Sequence, residues 1–292
     1  MRNLLLIIAI VVALSGCAGP TRSEEGGAPS AAADPAVASM KDTVGVPDQV
    51  RRASRLPREQ ALAAADDYRK ATGKWFDEEN GLSLLASYTS GDREADSDVG
   101  AAIGTIPNGR SVRFQLTGRD ASGKRTELIA EYEGDRTDAV DGRLDFSQRL
   151  PSRPDTNYLL SVEILSPEGL VEDTFLTPLF VPPNELNARL SVQRSAADEE
   201  RMTLSVYNAG PTDLMLGYGY LLYRKASDGW RLVPMENAVP AVGIIASPGY
   251  DPFTEEVSLP PKLQAGSYRL VKQIEGNQTR LSVRLAADFE VP

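Results

Sequence analysis

The chain has 292 residues, with 31 Lys plus Arg against 41 Asp plus Glu, a formal charge of −10, one cysteine and no histidine. That balance disfavours nucleic acid, whose binding rests on neutralised phosphates, and offers no attraction to anionic lipids or anionic wall polymers. Without histidine there is no Ser-His-Asp or Cys-His nucleophile system and no histidine-ligated metal; with one cysteine there is no intramolecular disulfide, so stability rests on hydrophobic cores.

At the N-terminus, Arg2 precedes an apolar run from Leu4 to Leu14 that closes on Ser15, Gly16 and Cys17. The run is well short of the roughly 20 apolar residues that cross a bilayer, and its basic start, apolar middle and small residues follow the logic of a secretory signal. Leu14-Ser15-Gly16-Cys17 resembles the lipobox of bacterial lipoproteins. The resemblance implies a signal peptide over 1–16, cleavage between Gly16 and Cys17, and a thioether-linked diacylglycerol on Cys17. Two acyl chains make release slow. The implied partner is therefore a lipid bilayer reached through acylated Cys17, and the implied place is a bacterial membrane, on its extracytoplasmic side. An ordinary secretory signal with an incidental cysteine is the alternative.

Residues 17–56 are rich in Gly, Pro, Ala, Ser and charge, and read as a disordered tether. Residues 57–98 read as a short helix and linker: Pro57 suits a first turn, helix formers run to Ala71, and Gly73 is a natural stop. Ala61, Ala64, Tyr68, Ala71 and Trp75 recur at helical spacing, which predicts that Tyr68 and Trp75 pack on a neighbouring domain, with a spacer or a partner-docking helix as the alternatives.

Beyond the helix the period becomes two. Val112, Phe114 and Leu116 alternate with polar residues, and similar runs cover 126–133, 143–149, Tyr158 to Ile164, and Leu176 to Val181. Asn108-Gly109, Ser122-Gly123, Asp141-Gly142 and Pro167-Glu168-Gly169 supply turns. Short strands without intervening helices predict a β-sandwich over 99–183, closed by Pro182-Pro183-Asn184. A second is expected over 184–292, with strands through Leu186 to Val192, Met202 to Val206, Leu214 to Leu222, Tyr268 to Ile274 and Leu281 to Phe289, and with Trp230 on a central strand. The expected class is mainly β: two tandem immunoglobulin-like or fibronectin-type sandwiches behind a leader, tether and short helix.

Met202 to Pro211, Gly217 to Leu222, Asp228-Gly229-Trp230 and Leu263 to Leu270 resemble a bacterial immunoglobulin-like domain of exported proteins. Within this resemblance Tyr268 stands where a tyrosine corner would, its hydroxyl satisfied by nearby backbone; Pro154 to Val162 looks like a corresponding corner around Tyr158. Such a fold hosts many unrelated functions.

Candidate chemistry is sparse. No Ser-x-x-Lys and no glycine-rich phosphate loop occurs. Asp92, Glu94, Asp96 and Asp98 alternate in the manner of calcium-ligating residues, yet Arg93 lies among them, and a solvated loop is the preferred reading. Tyr218 and Tyr220 on one strand face, with Tyr250 in a Ser247 to Pro252 loop, form a possible aromatic ledge for a sugar or protein, against the stronger expectation of core or core-rim tyrosines. The sequence thus predicts no catalytic residue, metal or cofactor, and an interaction or structural module with a protein or envelope-polymer partner. Two alternatives remain: an accessory or solute-binding component, which requires a concave pocket between domains, and a carboxylate-based glycoside hydrolase, which requires two facing carboxylates in a cleft.

Overall fold

In the computed structural model the described residues are 33–77, 84–195, 198, 200–235, 240–261 and 263–292. The expected leader, the expected cleavage position at Gly16 and Cys17, and the expected lipidation of Cys17 lie outside them. In chain order come α1 (Pro35–Ser39), β1 (Thr43–Val44), α2 (Arg58–Ala63), β2 (Leu85–Tyr88), β3 (Gly91–Asp92), β4 (Asp98–Ile103), β5 (Ser111–Arg119), β6 (Arg125–Gly134), β7 (Leu144–Arg149), β8 (Thr156–Leu165) and β9 (Val171–Val181). These are followed by β10 (Ala188–Arg194), β11 (Arg201–Asn208), β12 (Leu214–Leu216), β13 (Leu221–Ala226), β14 (Gly229–Leu232), β15 (Ile244–Ala246), β16 (Phe253–Ser258), β17 (Gly266–Gly276) and β18 (Ser282–Val291).

The first sandwich packs the sheet β2-β4-β7 on the sheet β3-β9-β8-β5-β6. Alternation sets its core: Phe114 lies opposite Val162 and Leu116 opposite Leu160, while Ala101 and Phe146 face them from the smaller sheet. The rings of Phe114 and Phe146 stack with centroids 5.5 Å apart, joining the two layers. This domain begins earlier than residue 99. β2 pairs with β4, β3 runs parallel to β9, and Trp75, Phe76, Leu84 and Leu85 pack on the core. Strands this short carry too few alternations to register as strands in sequence.

The second sandwich packs β1-β10-β11-β16 on a sheet in which β17 is central, with β18 along one side and β12 and β13 in succession along the other. The single strand expected over 214–222 is broken at residues 217–220, where Gly217 and Gly219 interrupt the ladder. Trp230 is buried, but on the edge strand β14 rather than a central one. It lies in a small cluster with Tyr223, Val271 and Ala286, on the outside of the sheet and under Val37 of α1. The expected class, mainly β with tandem sandwiches, is the observed one.

Two expectations for the N-terminal part are corrected. Residues 33–56 do not stay extended as part of a tether: the Asp34 amide donates to the Trp230 carbonyl at 2.9 Å, Val37 is fully buried, and β1 adds to the edge of β10. Sparse composition hid this because edge pairing uses backbone groups, and the apolar contact is small, Val37 with Met40 beside it. α2 ends at Ala63 instead of near Ala71. Asp66 and Asp67 follow at its C-terminal end, where negative charge is unfavourable, and they turn out to Lys124 and Arg119. The turn they begin places Ala65 and Tyr68 against Leu159 on the outer face of β8.

Candidate functional site

Between the sandwiches the chain is only Pro182-Pro183-Asn184 and its neighbours, and a second connection lies beside it. Arg55, carried by the segment between β1 and α2, makes ion pairs with Asp92 at the end of β3 and, at 3.2 Å, with Asp213 ahead of β12. Its guanidinium also lies 5.2 Å over the ring of Phe180, the residue opposite Asp92 in the parallel pair. One residue therefore touches both sandwiches. Burial, with the like charge of Asp213 adding to it, pushes the Asp92 carboxyl above its ordinary range despite Arg55. Asp92 and Asp213 converge on a single cation, an arrangement that fixes position rather than moves a proton.

Two depressions flank this contact. One, of about 390 Å³, is lined by Arg52, Arg55, Phe180, Pro182, Pro211 and Tyr250. The other, of about 230 Å³, lies where Arg280 of the second sandwich pairs with Glu94 of the first, next to Ser152, Asn184 and Gln278. Both are partly open to solvent.

The acidic residues at 92–98 do not converge. Asp92 faces Arg55, Glu94 faces Arg280, and Asp98 is exposed on β4 opposite Arg149. Asp96, at φ 62°, offers its carbonyl rather than its carboxylate, accepting from Arg149 at 2.7 Å. Among the described residues no group of three or more His, Cys, Asp or Glu is placed to hold a metal ion.

The aromatic ledge is not formed as expected, because the break at 217–220 takes Tyr218 and Tyr220 off a shared strand face. Tyr218 packs edge-on to Phe253 at 5.8 Å, and the Tyr220 hydroxyl donates to the Ser258 carbonyl at 3.1 Å. Tyr250 is 72% exposed. Tyr268 is buried and donates its hydroxyl to the Gln264 carbonyl at 2.7 Å, the geometry of a corner. Tyr158 is not held in this way: its hydroxyl is buried without a partner among the described residues, and the carbonyl four residues back, that of Pro154, accepts the Thr156 hydroxyl instead.

Arg55, Asp213 and Phe180 escaped sequence reasoning, because an arginine in a polar segment carries no signal of what it will meet. Lys272 did carry one. It is in phase with Tyr268, Leu270 and Ile274, and that inward phase buries it completely beside Glu255.

The fold and junction define a mainly β, tandem-sandwich protein. Residues 184–290 match the model of a family described as a bacterial Ig-like domain. No curated protein sequence is found to match. Among solved structures, the chain is similar to fibronectin(III)-like modules of Clostridium thermocellum CbhA, at 10% identity over 71% of this chain and 92% of that one, TM-score 0.34. It is also similar to a red sea bream transglutaminase, at 11% identity over 71% of this chain and 30% of that one, TM-score 0.28. A third likeness is to Escherichia coli alpha-2-macroglobulin, at 11% identity over 71% of this chain and 22% of that one, TM-score 0.27. The chain thus spans less than a third of the transglutaminase and of the macroglobulin. No helix among the described residues is long and apolar enough to cross a membrane.

Proposed function

We propose that this protein is a lipoprotein held in a bacterial membrane by acylated Cys17, displaying two β-sandwiches on the extracytoplasmic side as a non-catalytic interaction or structural module. The observation that carries the non-catalytic part is the state of the junction carboxylates. Asp92 and Asp213 share Arg55, and Glu94 is matched with Arg280. A glycoside hydrolase needs two carboxylates on opposite sides of a bond, separated by roughly 5 to 9.5 Å and free to exchange protons. Carboxylates gathered on one guanidinium favour a fixed body over a reacting one. The anchoring part rests on the lipobox, Leu14 to Cys17.

Metabolic labelling with an alkyne fatty acid tests the anchor. The parent protein takes up label and partitions into detergent; Cys17→Ala takes up none and partitions into the aqueous phase, whereas a labelled or detergent-retained Cys17→Ala protein overturns the anchor. A second reading, an accessory component that binds an envelope polymer or protein, is favoured by the groove in which exposed Tyr250 meets Arg52 and Pro211. Tyr250→Ala then abolishes co-sedimentation with isolated envelope polymer; unchanged sedimentation removes that reading.

A further inference from the structure

The segment from Ala33 to Trp75 follows the length of the molecule. It starts at Asp34 beside Trp230, and Trp230 is level with the beginning of β17, through Lys225 on β13 and the neighbouring Arg224 opposite Tyr268. The other end of β17 leads to Arg280 at the junction. Asp34 is therefore at the end of the second sandwich remote from the first. From there the segment supplies carbonyls of Lys41 and Asp42 to Ala286 and Leu190, so that it bonds to both sheets of the second sandwich. It then donates the Arg51 amide to Ala209 at 2.7 Å.

From Ser54 onward the segment bonds to the first sandwich. The Ser54 amide donates to Asp155 at 2.8 Å and the Leu56 amide to Asn157 at 3.1 Å, while Asn157 returns a bond to the Ser54 carbonyl at 2.9 Å. Asp67 forms a two-point pair with Arg119. Asp173, near the start of β9 and hence at the far end of this sandwich, accepts from the amides of Thr72 and Trp75. The backbone opposite is shaped for this passage. Gly210 has φ +75°, and a Cβ there would overlap the Arg51 carbonyl; a Cβ on Gly123, at φ +85°, would lie 2.5 Å from that of Ala64.

We infer that Ala33 to Trp75 is a strap that locks the two sandwiches into one rigid body, with Arg55 as the positioning residue at the hinge. A six-residue connection, 182–187, alone allows domains to swing about it, and independent motion is the ordinary expectation when few contacts cross. Here a second strand of chain bridges the same gap in parallel. Bending at Pro182-Pro183 must stretch the bonds of Arg51 to Ala209 on one side or of Ser54 to Asp155 on the other, and must part Arg55 from Asp92 or Asp213. The inference stands whether or not Cys17 is acylated.

The test uses the full chain with Cys17→Ser, spin-labelled through Val140→Cys in a turn of the first sandwich and Ser227→Cys in a turn of the second, both exposed. The expected result is one narrow distance distribution that widens in Arg55→Ala and in Gly210→Val, with the Trp230 emission and far-ultraviolet dichroism of the parent retained. Asp213→Asn, which leaves both hydrophobic cores intact, supplies the same reading should Arg55→Ala fail to fold. A broad distribution in the parent, or an unchanged narrow one in all folded variants, overturns the lock.

Discussion

Lys272 Nζ lies 2.7 Å from Glu255 Oε1 between the two sheets of the second sandwich, with the lysine side chain entirely buried and that of the glutamate 6% exposed. Lys272 also lies 5.5 Å over the ring of Phe253. Burial pushes the Glu255 carboxyl up and the Lys272 ammonium down, each opposed by the attraction of the other. Desolvation on this scale makes the pair costly to break singly and dispensable as a unit. Lys272→Met should destabilise the protein by about 3 to 5 kcal/mol, because Glu255 is left buried and uncompensated. The double variant Lys272→Met with Glu255→Leu should recover most of that loss or exceed the parent. Urea unfolding of the three proteins decides the matter; equal losses in single and double variants would show that the pair stabilises the core in its own right.

The two tyrosines expected at corners, Tyr268 and Tyr158, should answer differently to the same change. Tyr268→Phe removes a buried donor and leaves the Gln264 carbonyl unmatched, costing about 1 to 3 kcal/mol. Tyr158→Phe removes a hydroxyl that has no partner among the described residues, and should be neutral or slightly stabilising. Melting curves that shift equally would contradict the distinction.

Acid should loosen the far end of the strap. Arg110, Lys74 and the Trp75 indole N–H all donate to Glu172 and hold its carboxyl down to about 2 from an ordinary 4.5. A depressed folded-state value means that the stabilisation is present above about 4.5 and is lost as pH falls toward about 2. Glu172→Gln should flatten the acid limb of the stability profile in that window. Part of the limb should persist through Asp173, which burial pushes up but the amides of Trp75 and Thr72 hold below the ordinary carboxylate value. An unaltered acid limb in Glu172→Gln would count against the network.

Val37 is the fully buried apolar side chain of α1 in the Trp230 cluster, with Met40 packed beside it. Val37→Asp places an unpaired carboxylate in that site and should release residues 33–44 to protease while shifting Trp230 emission to the red. The second core should survive, since Val37 is not among its residues. Resistance to protease equal to the parent would show that β1 and its neighbouring backbone bonds hold the segment without α1.

Legibility followed the physics of each element. Strands long enough to alternate, such as Ser111–Arg119 and Gly266–Gly276, announce both their faces, because a period of two sorts every second residue into the core. β2, β3 and β1 are too short for that. The break at 217–220 was concealed by the even spacing of Leu214, Leu216, Tyr218, Tyr220 and Leu222, a pattern that continues in sequence where the ladder does not. Tyr268 was recognisable as a corner from its turn, whereas the missing bond of Tyr158 depended on which carbonyl Thr156 reached first.

Sequence alone determined the mainly β class, the inward faces of the long strands and the lack of histidine chemistry, since these are properties of composition and local period. Only tertiary structure decided that residues 33–56 form a strap, that Trp230 is buried at an edge, and that Arg55 joins Asp92 to Asp213. Those outcomes depend on backbone hydrogen bonds and charges brought together from distant parts of the chain, and no short window of sequence contains both partners.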